Sequence, residues 1–114
     1  MFRFTNINEY HAALLAGEQT CVQAVQFYLD QIANHQELNA YLEVFAEEAI
    51  LRAKALDEQS SKKQLVGKLH GVVVGIKDVL CYKDHHVSAA SKILENYIAV
   101  YSATAIEKLL AEGA

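Results

Sequence analysis

Proline and tryptophan are both missing from the 114 residues, and glycine occurs only five times. About 5% proline is ordinary for a globular chain, so all-β architectures that turn every few residues lose their usual punctuation. A helix-rich or mixed α/β chain is expected instead. Cysteine is limited to Cys21 and Cys81, with no CxxC pair and no Cys-His spacing that would build a zinc site. The expectation is two reduced, partly buried thiols and no metal. Long hydrophobic runs are missing as well. The nearest is Val72-Val73-Val74-Gly75-Ile76, far short of the roughly 20 residues that cross a bilayer, so a transmembrane helix is excluded. The amino end, Met1-Phe2-Arg3-Phe4-Thr5-Asn6, carries neither a long apolar core nor a small-residue cleavage site, which argues against a secretory signal. A cytoplasmic protein without membrane contact is the reading. Basic excess is also lacking: Lys and Arg number 10 against 14 Asp and Glu, for a net charge of -4. Without a basic stripe the chain is no nucleic-acid clamp by itself, and any such contact falls to a separate partner.

What is present is a 53% hydrophobic chain of a length suited to one domain. From Asn6 to about Ala16, Ile7, Tyr10, Leu14 and Leu15 recur at helical spacing, and Gly17 follows as a stop. Thr20 opens a second helix with Gln23 completing a capping box, and Cys21, Val25, Tyr28, Leu29 and Ile32 share one face. Residues 40–45 have strand formers in loose alternation, whereas Ala46 to Leu56 returns to a helical period. The polar segment 57–64 reads as a solvated loop. Residues 71–76 are apolar at every position, the pattern of a strand covered on both faces. A loop over 81–91 follows, then Ser102 as N-cap of a final helix that ends at Gly113.

Lys77 and Asp78 interrupt the apolar run at its carboxyl end, where α/β proteins tend to build their sites. A lysine there is partly desolvated, which favours the neutral amine and makes it a base. The competing reading is a stem packed along the sheet edge with its amine in water. Adjacent His85 and His86 invite a metal, but no carboxylate or cysteine spacing nearby completes a ligand set, so the expectation is a solvated loop. His11, His35 and His70 stand singly and read as surface or packing residues. Ser88 and Ser91 lie in a small-residue loop of the kind that mostly makes turns. Gly71 and Gly75 form no nucleotide-binding fingerprint.

Taken together, residues 67–78, Ser91-Lys92-Ile93-Leu94-Glu95-Asn96-Tyr97 and residues 101–114 resemble, in order and spacing, the amino-terminal part of the amidase signature family. The likeness is strongest to its tRNA-dependent amidotransferase branch and includes Leu38-Asn39-Ala40-Tyr41 upstream. The resemblance implies an α/β fold in which amino-terminal helices lead into the first strands and helices of the family's mixed sheet, left incomplete here. Residues 1–114 would then be the amino-terminal part of one amidase domain, truncated before the serine-rich catalytic region. It carries the lysine of a Ser-cisSer-Lys triad onto Lys77, while both triad serines would lie downstream and match neither Ser88 nor Ser91. The implied reaction is hydrolysis of glutamine to supply ammonia for misacylated tRNA. The implied partners are amidotransferase B and C subunits; ATP and Mg²⁺ would be bound by a partner in the complex, and this chain would hold no cofactor. The chain by itself would be inactive. Val73 stands where the family usually has proline, and Ala99-Val100 and Ser102 replace prolines and an aspartate. Valine suits a strand and serine caps a helix, so both departures fit. Other amidases acting on small or fatty amides, or a non-catalytic interaction fragment, are the alternatives.

Overall fold

The computed structural model describes residues 2–114. Their backbone forms α1 (Ile7–Ala16), α2 (Cys21–Asn34), α3 (Ala46–Ser61) and α4 (Thr104–Ala111), with single 3₁₀ turns at Gln36–Leu38 and Lys92–Leu94. The ends of α1 follow from its sequence. Asn6 Oδ1 accepts from the Glu9 N–H at 2.9 Å, and Gly17 closes the helix in the left-handed conformation that Cβ disfavours, at φ 78°.

The first turn of α2 has every backbone donor accounted for. Thr20 Oγ1 accepts from the Gln23 N–H and the Gln23 side chain accepts from the Thr20 N–H, both at 3.0 Å. The Cys21 and Val22 N–H groups donate to the Asp57 carboxylate at 2.6 and 3.1 Å, and the Ala24 N–H reaches the Thr20 carbonyl. Asp57 belongs to α3, so one carboxylate caps α2 from the neighbouring helix and complements its dipole. This explains why the polar segment 57–64 is not the expected loop. Helix α3 continues to Ser61, because the Asp57 carboxylate binds the first turn of α2 and Ser60 is buried, its hydroxyl donating to the Asp57 carbonyl. The turn comes only at Lys62–Lys63, and the Lys63 ammonium donates to the Leu15 carbonyl at the end of α1.

Helix α2 packs on α3 and α1 joins them, burying Tyr10, Leu14, Cys21, Ala24, Val25, Ala53 and Leu56. The segment around His70 seals one side of this core. The Tyr10 hydroxyl donates to the Gly71 carbonyl at 3.1 Å, and the Leu69 and Gly71 N–H groups donate to the Glu112 and Gly113 carbonyls. Helix α4 is thereby tied to the core, and Arg52 of α3 donates to the Leu110 carbonyl at 2.7 Å, a cation at a helix carboxyl end.

Three further sequence expectations differ from what is seen. Neither 40–45 nor 71–77 forms a strand; among the described residues the only β pairing is an isolated antiparallel bridge between His86 and Ile98. Residues 73–76 run without a backbone partner among the described residues, and Val73 and Val74 are exposed rather than covered. A strand exists only through its neighbour, and among the described residues no second extended segment forms a ladder with either one. Ser102 does not cap α4. Ala103 holds that position, while Ser102 Oγ accepts from the Lys83 N–H at 3.0 Å and so ties down the preceding loop. The result is an elongated helical body of 48 × 31 × 22 Å.

Candidate functional site

A groove of about 930 Å³ runs between the apolar face of α2 and the two extended segments. Tyr28, Leu29 and Ile32 form one side, Tyr41 and Val74 another, and Lys77 stands on its wall. Helix α2 presents these residues because the spacing 25, 28, 29, 32 follows the helical period, as its sequence implies.

Lys77 is exposed among the described residues, where the sequence suggests partial burial. Its backbone is nevertheless held firmly, since its carbonyl accepts from both the Val79 and Leu80 N–H groups at 2.8 and 2.9 Å. Asp78 faces away toward the small-residue loop. Its carboxylate accepts from the Ser88 N–H at 2.9 Å and from the Ser88 hydroxyl at 2.5 Å, and its carbonyl accepts from the Ala89 N–H at 2.9 Å. The Ser88 hydroxyl, followed by the Ser88 N–H, holds the Asp78 carboxyl below the usual carboxylate range. The hydroxyl of Ser88 is therefore committed to Asp78. In the sequence Asp78 stands out only as the neighbour of Lys77; its partner lies ten positions on, and no local spacing announces the pair.

His85 and His86 do not converge on a metal position, and among the described residues no cluster of three or more His, Cys, Asp or Glu side chains could hold one. Each instead meets a carboxylate. His86 Nδ1 lies 3.4 Å from Glu43, whereas His85 Nε2 lies 2.6 Å from Glu48 Oε2 and its Nδ1 lies 2.7 Å from the Lys83 carbonyl. Both ring nitrogens of His85 face acceptors, so only the imidazolium satisfies both. The ring stacks on Tyr82 at 4.0 Å between centroids, and the Tyr82 hydroxyl donates to Glu48 Oε1 at 2.6 Å. Burial pulls the His85 pKa down, but the Glu48 carboxylate and the Lys83 carbonyl outweigh it, and the net direction is upward from 6.5. Burial and then Glu48 push the Tyr82 hydroxyl up to about 12. A histidine whose folded pKa is raised stabilises fully below its unfolded value and loses that contribution as pH climbs through the folded one. The stability advantage of the natural chain over His85→Gln is therefore expected to be about 0.5–1 kcal/mol near pH 6, the range of solvent-screened pairs. It should shrink toward pH 9 in denaturant titrations, whereas parallel curves across that window would disprove the imidazolium assignment.

The other histidines do not all stand singly: His35 pairs with Glu37 on the surface, whereas His11 Nε2 lies 2.9 Å from the His70 carbonyl. His70 is fully buried, its Nδ1 accepting from the Val66 N–H at 3.0 Å. Burial, with His11 nearby, lowers the His70 pKa and keeps it neutral. Cys21 is equally inert: burial, then the Asp57 carboxylate, pushes its thiol up to about 12. Both cysteines are free.

The sequence profile of the family described as Amidase matches residues 23–114, which include the groove, Lys77 and the 88–91 loop. This chain belongs to the amidase family. The A subunit of the glutamyl-tRNA(Gln) amidotransferase from Chlorobium phaeobacteroides is 41% identical over 111 residues, covering 97% of this chain and 23% of that protein. The protein of the same description from Pelodictyon phaeoclathratiforme is 39% identical over 107 residues, 94% of this chain and 22% of its own length. This amidase chain thus spans less than a quarter of the curated relatives it matches. Its fold is similar to a solved chain from work on a vestigial protein complex and the evolutionary origins of an s-triazine catabolic enzyme. The TM-score is 0.86 at 21% identity, covering 96% of this chain and 24% of that one. Among the described residues of this family member, no helix is long and apolar enough to cross a membrane.

Proposed function

We propose that this chain is the amino-terminal part of the glutamine-hydrolysing subunit of a tRNA-dependent amidotransferase, with Lys77 as the base of its triad. The observation that carries the reading is 41% identity over 97% of the chain to the A subunit of such an amidotransferase. In this reading neutral Lys77 takes a proton through a bridging serine, and the nucleophilic serine oxygen attacks the glutamine side-chain carbonyl. The carbon–nitrogen bond breaks, ammonia leaves with the relayed proton, and water cleaves the resulting ester to release glutamate. Both serines, and the covering layer that desolvates Lys77, come from the remainder of a domain roughly four times this length, by the 23% coverage of the relative. That remainder would also supply the sheet neighbours that the extended segments 40–45 and 71–77 lack, so the mixed α/β sheet is a property of the whole domain. Residues 1–114 alone are then inactive. The ammonia passes to a partner B subunit that handles misacylated tRNA with ATP and Mg²⁺, a C subunit braces the assembly, and the setting is cytoplasmic.

The test is to read the coding sequence past Ala114 and assay its full product. Continuation into a Gly/Ser-rich region with two serines, and glutamine hydrolysis stimulated by B and C subunits, is the expected result. Hydrolysis of small or fatty amides with no dependence on those subunits would place the protein among the other amidases. A stop codon directly after Ala114 would mean that the family likeness describes ancestry rather than activity.

A further inference from the structure

The loop after Lys77 contains an oddity that the proposed reaction leaves unexplained. Ala89 and Ala90 both adopt the left-handed conformation, at φ 49° and 58°, where an alanine pays for its Cβ. Such positions persist only where the surroundings over-determine them. What over-determines them is Asp78. It holds this loop through three hydrogen bonds of 2.5–2.9 Å from Ser88 and Ala89, two to its carboxylate and one to its carbonyl. The backbone of Ala89 and Ala90 also lies close enough to favour the ionised carboxylate. Residue 77 is thereby clamped from both sides, by the Val79 and Leu80 N–H groups on its own carbonyl and by the anchored residue that follows it. Lys77, Asp78, Ser88, Ala90 and Ser91 all border the same groove.

We propose that Asp78 is a positioning residue that joins the turn bearing Lys77 to the left-handed 88–91 loop, so that lysine and loop form one rigid wall of the groove. The role rests on the reading of Lys77 as the base, because a base is useful only where its amine is held within hydrogen-bond reach of its partner. Geometry assigns the loop a second part: with Ser88 turned onto Asp78, Ala90 and Ser91 are left to border the groove beside the lysine. The turn at 77–80 leaves the Asp78 carboxylate on Ser88 while Lys77 borders the groove.

Two measurements test this. In the full 114-residue chain, amide hydrogen exchange followed by NMR should find the Ser88 and Ala89 N–H groups protected. Asp78→Ala should remove that protection by about tenfold or more and shift the Lys77 amide resonance, with the amides of α2 unchanged. Unprotected Ser88 and Ala89 amides in the natural chain, or an Asp78→Ala variant that exchanges no faster, overturns the proposal. In the full-length enzyme, Asp78→Asn should lower kcat by about tenfold or more while KM for glutamine changes less than about threefold, the split expected when alignment of a base is lost rather than substrate binding. A merely structural role would lower the yield of active enzyme without separating kcat from KM. If Lys77→Ala abolishes activity but Asp78→Asn leaves kcat unchanged, positioning by Asp78 is wrong and the Lys77 reading stands. If Lys77→Ala remains active, the Lys77 reading is wrong and takes the catalytic role of Asp78 with it, and exchange decides only whether Asp78 organises the loop.

Discussion

Lys77→Ala in the full-length enzyme is expected to lower kcat for glutamine hydrolysis by at least roughly 10³-fold, with KM little altered. In the proposed reading Lys77 is the base of the triad, and a base that starts the proton relay acts in the transition state more than in substrate binding. Lys77→Arg separates basicity from charge. A guanidinium does not lose its proton in proteins, so arginine keeps the positive charge, cannot accept a proton, and should be as damaging as alanine. Steady-state rates with purified enzyme decide the matter. Activity within about tenfold of the natural enzyme for either variant would remove Lys77 from the reaction. The 114-residue chain offers a complementary check, because Lys77 is exposed there and nothing covers the groove it borders. It should hydrolyse no glutamine at all.

The second large effect is structural. Gly71 has φ 72°, and a Cβ built on it would sit 2.5 Å from Cys21 Sγ and 2.9 Å from the Tyr10 hydroxyl oxygen. Neither neighbour can retreat. Cys21 is fully buried at the start of α2, and the Tyr10 hydroxyl donates to the carbonyl of Gly71 itself. Overpacking of about 1–3 kcal/mol adds to about 1 kcal/mol for the left-handed backbone, so Gly71→Ala should cost about 3 kcal/mol. The thermal midpoint should fall by roughly 10–20 °C. Gly17→Ala is the matched control: its φ is 78°, yet nothing lies within 4 Å of the added Cβ, and it should lose only about 1 kcal/mol. Adding Cys21→Ala to Gly71→Ala removes the nearest obstacle and should recover part of the loss, a coupling readable as a double-mutant cycle. Equal destabilisation by the two glycine substitutions would mean that the packing of residue 71 against α2 is not as described.

The two glycines also divide what was legible from what was not. Gly17 could be read as a helix stop because the apolar period ended just before it, and Thr20 with Gln23 could be read as a cap because their spacing spans one turn. Gly113 at φ 90°, just after α4, is a third signal of this kind. Nothing local marks Gly71, whose obstacles lie on α1 and α2. The same distance hid the end of α3. Residues 57–64 look like a loop until Asp57 is seen capping a helix that begins 36 positions earlier. Ser102 looked like a cap, but the Lys83 N–H took its oxygen.

Helix α2 with its capping box, the apolar stripe that borders the groove, and the position of Lys77 after an apolar run were all determined by the sequence itself, together with membership of the amidase family. Each depends on residues within a turn or two of one another, or on a motif order that survives without coordinates. Tertiary structure alone decided that residues 40–45 and 71–77 form no strand, that Lys77 is exposed, that His85 pairs with Glu48, and that Asp78 binds Ser88 of the 88–91 loop. Strand pairing, burial and ionisation are properties of what stands beside a residue, and the chain brings those neighbours together only when it folds.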